Sequence, residues 1–180
     1  MAKLTITEAL AEIKTITKRI EKKHQFVLTY LYRQEKLKDP LDSTGGSKES
    51  LKRERQSIAD LAARCLALRR GIQKVNSVTG LAVLGVERTI GEWLIWRRDI
   101  APGEQARLQE LSQRIAGLRR DAMGRGLTVT KGEPVTPDDV IVNLDEGTLA
   151  KEIEDMAETL GVLDGQLSLK NATTFIEIPD

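Results

Sequence analysis

Residues 68–83 read LRRGIQKVNSVTGLAV, and residues 163–178 read LDGQLSLKNATTFIEI. Similar residue types recur in the two stretches when they are offset by 95 positions. The aligned pairs are Leu68 with Leu163, Ile72 with Leu167, Asn76 with Asn171, Thr79 with Thr174, and Val83 with Ile178. Each copy combines the end of an amphipathic helix, an asparagine and a β-prone run. We therefore predict that the chain ends a long helix and passes into a strand twice.

The composition favours long solvated helices over a compact enzyme with deep pockets. Charged residues make up 31% of the 180 residues and aromatic residues only 3%, so the core has to be aliphatic. No stretch approaches the roughly 18 apolar residues that a membrane span needs, and the start of the sequence lacks the apolar region of a secretory signal. We therefore expect no membrane contact and synthesis in the cytoplasm. Cys65 is the single cysteine, which excludes an intrachain disulfide.

A net charge of +1 conceals a strong charge gradient along the sequence. Residues 1–79 hold 17 Lys and Arg against 9 Asp and Glu, a net charge of +8, whereas residues 127–180 hold 3 against 12, a net charge of −9. The basic and acidic segments can neutralise each other within one molecule. They can also meet between neighbouring copies in a head-to-tail assembly. The sequence leaves both interpretations open.

Heptad stripes predict a long antiparallel helical hairpin. Thr5 and Glu8 form a capping-box pattern, and apolar residues then recur at heptad spacing, which predicts a helix to about Lys38. Asp39-Pro40 ends it, a turn-rich loop follows, and Ser47 is positioned to cap a second helix that ends at Asn76. The heptad positions are Ile6, Ile13, Ile20 and Val27 in the first helix, and Leu51, Ile58, Cys65 and Ile72 in the second.

Residues 80–126 predict a short β-hairpin and a third helix. The run GLAVLGVER at 80–88 suggests two strands with Gly85 at the bend. A second capping-box pattern at Thr89 opens a helix that breaks, kinks or restarts at Pro102 and continues to about Gly124. The third helix extends the hairpin to a three- or four-helix arrangement.

The acidic remainder predicts a small β-α-β appendage. Strands are predicted at 127–130 and 140–144 with an exposed turn at 134–139, followed by a helix over 147–170 and a strand at 173–178 that pairs with 140–144. The predicted fold is therefore mainly α, with a coiled-coil-like hairpin, a short β-hairpin and a small C-terminal β element. We place the domain boundary between residues 126 and 127.

No residue pattern indicates catalysis, a cofactor or a metal. The single histidine has no partner at ligand spacing, and the cysteine occupies a heptad core position, where a structural thiol is expected. Two pairs of acidic residues resemble general acid/base pairs, but they fall on a polar helix face and in a loop, where solvated charge is the simpler interpretation. These residues are His24, Cys65, Glu152 with Asp155, and Asp138 with Asp139. We predict a protein that is not an enzyme.

A candidate interface lies around two tryptophans. Trp93 and Trp96 are three residues apart and are followed by Arg97 and Arg98, and both residue types are enriched at interface hot spots. The alternative is that the tryptophans cover the core, an interpretation that the spacing favours slightly. The run of residues 173–178, with Phe175 and Ile176, is a second candidate because a strand can add to a neighbour's sheet. Arginine pairs are interleaved with acidic residues, so we do not expect nucleic-acid binding.

Five stretches carry a resemblance to a known family of phage proteins. They are TITEALAEIKTITKRIEKK (5–23), EKLKDPLDSTGGS (35–47), IQKVNSVT (72–79), TIGEWLIWRRDIAPGEQ (89–105) and LDGQLSLKNATTFIEI (163–178). They resemble small structural proteins encoded by tailed bacteriophages and prophages. More distantly, about the first 120 residues resemble septicolysin-like bacterial proteins, in which two long helices precede N-x-x-T and a short β element. The septicolysin resemblance suggests pore formation, which the lack of any membrane-length apolar segment argues against.

The resemblance implies an assembled virion component without catalytic residues. We therefore expect a structural or assembly protein that binds other virion proteins, further copies of itself, or both, and that resides in the virion. The alternative is a soluble phage-encoded regulator or chaperone that binds a partner protein or nucleic acid through the basic hairpin.

Overall fold

The computed structural model describes residues 2–130 and 138–178, and these residues confirm the predicted mainly helical fold with short strands. They divide into two compact units: unit 1 comprises the described residues up to Val78 and from Ser168 onward, and unit 2 runs from Thr79 to Leu167. The boundary placed at 126/127 from the sequence does not coincide with this division. The predicted turn at 134–139 falls largely outside the described residues.

Unit 1 contains the predicted helical hairpin, with α1 at Ile6–Thr29 and α2 at Gly46–Asn76. The prediction that the first helix reaches Lys38 is wrong, because α1 ends at Thr29. The heptad position after Val27 is occupied by Gln34, so a continued helix would have had no apolar residue to pack on α2. A helix without such packing is marginal in water.

Asp39 ties the loop of the hairpin to the start of α2. Its carboxylate accepts hydrogen bonds from the Ser47 hydroxyl at 2.5 Å, the Ser47 amide at 2.8 Å and the Leu41 amide at 2.9 Å. The predicted capping role of Ser47 is wrong, because the N-cap is Gly45 in a left-handed conformation with φ 93°. The acidic side chain needed at a helix start comes instead from a residue seven positions before α2, Asp39.

A single aliphatic cluster holds unit 1 together at the end of the hairpin near the strands. The buried members are Ile6, Ala9, Ile13, Ile16, Leu68, Ile176 and Ile178. Two cross-helix ion pairs flank the apolar stripe: Arg64 donates to Glu12 at 2.9 Å, and Lys23 donates to Glu54 at 2.8 Å. Each pair is about one-third exposed, so it fixes the register of the hairpin more than it stabilises it.

The predicted β-hairpin is confirmed, and it is formed by β2 at Gly80–Val83 and β3 at Val86–Thr89. Its turn consists of Leu84 and Gly85, both with positive φ, which is the geometry that matches the twist of a two-residue hairpin. Thr89 caps the following helix with the predicted capping box.

The pairing predicted for the last strand is wrong. The strand β6 at Phe175–Ile178 pairs antiparallel with β1 at Ala2–Thr5, an element that the sequence analysis missed. The segments around 129 and 140 pair instead with each other, as the short parallel strands β4 at Val129–Thr130 and β5 at Val140–Ile141. Pairing with β1 places Ile176 and Ile178 in the cluster of unit 1, where both are fully buried.

In unit 2, a helical segment with wider turns precedes Pro102. The helix α3 at Ile90–Ile95 passes through a π-helical segment at Trp96–Ile100 into α4 at Ala101–Gly124. Pro102 lacks an amide hydrogen and its ring crowds the preceding turn, and the wider π turn accommodates both. The last helix, α5, runs from Glu146 to Thr173 and so continues past its predicted end at 170.

The structure extends the repeat seen in the sequence to two β-α-α-β halves, joined by the Leu84–Gly85 turn. The first half consists of β1, α1, α2 and β2, and the second half of β3, α3 with α4, α5 and β6. The capping boxes at Thr5 and Thr89 are equivalent, as are the amides of Ile6 and Ile90, which donate to Thr174 and Thr79.

The closing strand of each half lies in the unit built around the other half. The strand β6 of the second half pairs with β1, and β2 of the first half pairs with β3. Adding 84 to the residue numbers of β1 gives those of β3, and subtracting 95 from those of β6 gives those of β2. With these offsets, every residue pair between β1 and β6 coincides with a residue pair between β3 and β2. Thus Thr5 opposite Phe175 corresponds to Thr89 opposite Gly80, and the chain exchanges equivalent strands internally.

Leu68 tests the cluster of unit 1. Its side chain is fully buried in α2, whereas Leu66 on the same helix is 50% exposed. We expect Leu68→Ala to lower the free energy of unfolding by about 2–5 kcal/mol, because a cavity replaces packed side chain. The matched variant Leu66→Ala should change it far less. Urea denaturation followed by circular dichroism measures both, and equal losses would contradict this description of the core.

Asp39 should titrate at unusually low pH. The Ser47 hydroxyl and amide, together with the Leu41 amide, lower the pKa of Asp39 to about 2 from an ordinary 3.8. A lowered folded pKa means that the carboxylate favours the folded state above pH 3.8 and that this contribution is lost as the pH falls through about 2. Carboxyl NMR titration should show this midpoint. Ser47→Ala should raise the pKa towards the ordinary value, and an unchanged midpoint would show that Ser47 does not set it.

Candidate functional site

Apolar burial falls off along the hairpin of unit 1 towards its loop end. Ile13 and Ile16 are buried, Ile20 is half-buried, and Leu31 just beyond α1 is 60% exposed. The two helices leave an open cavity of about 800 Å³ here, which we call the basic trough. Its lining residues are Val27, Leu31, Lys48, Glu49, Leu51, Lys52, Arg55 and Gln56.

Three cations of α2 border the apolar floor of the basic trough. Lys48, Lys52 and Arg55 follow the spacing of one helix face, with Leu51 between them. None of the three forms a hydrogen bond or an ion pair within the part of the chain that the structure describes. One acidic residue, Glu49, lines the trough beside them. The trough therefore combines a partly exposed apolar floor with positive charge that has no partner among the described residues.

A smaller basic hollow lies on the same two helices. It has a volume of about 270 Å³ and is lined by Arg19, Lys22, Lys23, Phe26 and Glu54. The Phe26 ring contacts the Tyr30 ring with centroids 4.7 Å apart. Lys23 is engaged by Glu54, so the positive charge without an ion pair here comes from Arg19 and Lys22.

Trp93 of the predicted interface is a core residue of unit 2. It is 2% exposed, and its indole nitrogen donates a hydrogen bond to the Leu81 carbonyl at 2.9 Å. The half-buried Trp96 ring meets it edge-on with centroids 5.5 Å apart, and the Arg88 guanidinium lies 4.7 Å from the centroid of the Trp93 ring. Trp93 therefore joins the β-hairpin to α3 and does not present its ring for docking.

Arg97 and Arg98 are exposed but are engaged by acidic residues. Arg97 contacts Asp164 of α5 at 2.9 Å, and Arg98 contacts its neighbour Asp99 at 2.7 Å. The hydrogen bond between Arg98 and Asp99 raises the pKa of the arginine and lowers that of the carboxylate. Neither arginine offers an unengaged charge.

The two candidate interface residues of the last strand, Phe175 and Ile176, lie on opposite faces of β6. Phe175 is 51% exposed, with the Lys3 ammonium 5.4 Å from its ring centroid, whereas Ile176 is fully buried. Alternation along β6 explains the difference, because neighbouring residues of a strand point to opposite faces. In the closed chain, Ile176 therefore packs inside unit 1 and is not exposed to a partner.

The other residues considered from the sequence do not converge. His24 is exposed on α1, Cys65 is half-buried against the cluster of unit 1, and Glu152 and Asp155 are exposed on α5. Within residues 2–130 and 138–178, no three His, Cys, Asp or Glu side chains are grouped so as to hold a metal ion. No helix among the described residues has the length and apolar character that crossing a membrane requires.

Part of the charge gradient is neutralised inside unit 2. Arg97 pairs with Asp164, and Arg119 on α4 pairs with Glu146 at the start of α5. Both pairs join a residue of the middle segment to the acidic segment. The basic trough, in contrast, belongs to unit 1 and keeps its charge. Sequence reasoning missed the trough cations, although their spacing around Leu51 was a signal.

Comparison with known proteins gives a likeness in fold. No family model matches the chain, and no curated protein matches it. A solved structure, that of a functionally unknown conserved protein from Corynebacterium diphtheriae, is similar with a TM-score of 0.60 and 20% identity. The similarity covers 98% of this chain and 100% of that chain. At this identity the likeness concerns the fold alone.

Trp93→Ala should destabilise unit 2 strongly. The change removes a buried aromatic side chain and leaves the Leu81 carbonyl without its donor, so we expect a loss of about 3–5 kcal/mol in the free energy of unfolding. The control is Ile95→Ala on the same helix, where the side chain is 52% exposed. Chemical denaturation followed by circular dichroism measures both variants. A loss at Ile95 as large as at Trp93 would contradict the anchoring role of Trp93.

Proposed function

We propose that this protein is a non-enzymatic structural or assembly protein of a bacteriophage particle that acts through protein–protein contacts at the basic trough. The observation that carries the proposal is the combination of two features. Lys48, Lys52 and Arg55 are unpaired among the described residues, and the apolar floor beside them is formed by the exposed Leu31 and the half-buried Leu51. The resemblance of five sequence stretches to phage structural proteins supplies the particle context.

The trough suits an acidic amphipathic segment of a neighbouring protein. Apolar side chains of such a segment would cover the floor of the trough, and its carboxylates would meet cations spaced along one face of α2. Covering the floor also removes water from around the charges, which strengthens their attraction. Nucleic acid fits less well, because a phosphate backbone uses the cations but leaves the apolar floor exposed.

Charge reversal in the basic trough tests the proposal. Lys48→Glu with Lys52→Glu reverses two cations of the trough, and Arg69→Glu with Arg70→Glu makes the same charge change at exposed positions elsewhere on α2. Particles would be purified from cells producing the phage with either variant, and the chain would be quantified by immunoblot. We expect at least a tenfold loss of the trough variant from particles, since two charge-reversed contacts cost about 1.4 kcal/mol or more.

The control variant should enter particles at the wild-type level. Equal incorporation of both variants would contradict docking at the trough, and absence of the wild-type chain from particles would contradict the virion role. Light scattering of the purified chain across a range of salt identifies the source of the acidic segment. Oligomers that dissociate as salt rises indicate a second copy of this chain, whereas a monomer that still enters particles indicates another virion protein.

A further inference from the structure

The same strand pairing occurs twice in this chain, once with a covalent connection and once without. The strands β2 and β3 are joined by the two-residue turn at Leu84–Gly85. The equivalent strands β6 and β1 come from opposite ends of the described chain, with Ile178 opposite Ala2. No short turn links them, so the second joint is closed by contacts alone.

The contacts that close the joint between β1 and β6 belong largely to β6. Ile176 and Ile178 enter the cluster of unit 1, and the Ile6 amide donates to the Thr174 carbonyl at 3.0 Å. A Cβ at Gly71 would lie 3.4 Å from Cδ1 of Ile176, so the strand is seated closely on α2. If β6 leaves, it uncovers an apolar slot and carries away the side chains that fit this slot.

We propose that β6 of one copy pairs with β1 of a second copy and fills the apolar slot beside that strand, so that the protein self-associates by strand exchange. The occupant is a second copy because the slot and the strand are complementary parts of one chain. The internal repeat supports this exchange, because a strand of one half already fills the equivalent place in the other half. Leu81 and Val83 of the first half pack in unit 2 in the register of Ile176 and Ile178. This inference does not depend on docking at the basic trough.

In the closed form β6 pairs with β1 of its own chain, and in the exchanged form it pairs with β1 of another copy. The protein concentration determines which form is populated. A strand tethered to its own chain has an effective concentration on the order of millimolar, so dilute protein stays closed. Exchange becomes competitive when copies are held close together or when the protein approaches that concentration. The contacts across this joint, including that of Lys3 with Glu177, are the same in the closed and the exchanged forms, so exchange should be insensitive to salt.

Cysteine pairs in trans detect the exchange. Lys3 lies opposite Glu177 across the joint, and both side chains are exposed. One chain would carry Lys3→Cys and another Glu177→Cys, each with Cys65→Ala to remove the native thiol. The two chains would be mixed, concentrated to about 1 mM, the scale of the tethered strand, and oxidised. We expect a disulfide-linked heterodimer that mass spectrometry maps to positions 3 and 177.

The β-hairpin supplies a matched control. Glu87 and Ala82 are the equivalents of Lys3 and Glu177, and they are also exposed and directly opposite each other. The corresponding pair of chains, Glu87→Cys and Ala82→Cys in the Cys65→Ala background, should give at least tenfold less heterodimer because the two-residue turn keeps each hairpin closed. Equal yields in the two mixtures would overturn the proposal.

A second measurement does not depend on disulfide formation in trans. Light scattering of the wild-type chain, without added cysteines, should show a larger mass as its concentration approaches about 1 mM, and added salt should not reverse the increase. A chain with both Lys3→Cys and Glu177→Cys, oxidised in dilute solution, should close on itself and stay monomeric. A wild-type chain that remains monomeric at this concentration, or an association abolished by salt, would overturn strand exchange while leaving the basic trough untouched.

Discussion

Each unit is completed by a strand that the other half of the chain supplies, and the helices depend on that pairing. Ile176 and Ile178 reach the cluster of unit 1 only because β6 pairs with β1. Leu81 and Val83 reach Trp93 only because β2 pairs with β3. A two-stranded ribbon is marginal in water unless one face is buried on something else. Strands and helices therefore stabilise each other, and neither half buries its own helices alone.

The two units follow one plan with different core residues. The residue three positions after the first core isoleucine is Ala9 in unit 1 and Trp93 in unit 2. The larger side chain of unit 2 fills the space beneath its hairpin and also engages the Leu81 carbonyl. In unit 1, Ile176 packs on α2 beside Gly71, whereas the equivalent position in α5 carries Gln166. The two units therefore keep the same strand register although different side chains fill their cores.

Local patterns in the sequence predicted the helices and strands better than they predicted which strands pair with each other. Both capping boxes and the β-hairpin at 80–88 followed from spacing alone, because each depends on residues that are close together in the sequence. The strand β1 was missed because four residues, Ala2–Thr5, carry too short a pattern, and its partner lies at the far end of the described chain. The end of α1 was missed because the helix was extended to Asp39-Pro40, although the apolar stripe stops at Val27 and the next heptad position is Gln34.

The sequence did not predict the basic trough, because the trough also depends on contacts between residues that are distant in the sequence. A lysine or arginine is informative only when its neighbours in space are known. Lys23, Arg64 and Arg97 are each engaged by a carboxylate, whereas neither Lys48 nor Lys52 has a carboxylate partner in the part of the chain that the structure describes. The charge count placed all of them except Arg97 in the basic segment of residues 1–79. Trp93 shows the converse, since a residue type enriched at interfaces serves the core of unit 2.

At the loop end of the hairpin, positive charge that has no partner among the described residues coincides with exposed apolar surface. Towards the strand end of the hairpin, Arg64 meets Glu12 and the apolar stripe is buried. At the loop end the stripe is uncovered around Leu31, and Lys48 and Lys52 have no partner among the described residues. A charge beside exposed apolar surface gains more from a partner than a charge in open water, because the partner that covers the surface also lowers the local dielectric. The proposed partner would therefore gain from both features at once if it binds at the loop end of the hairpin.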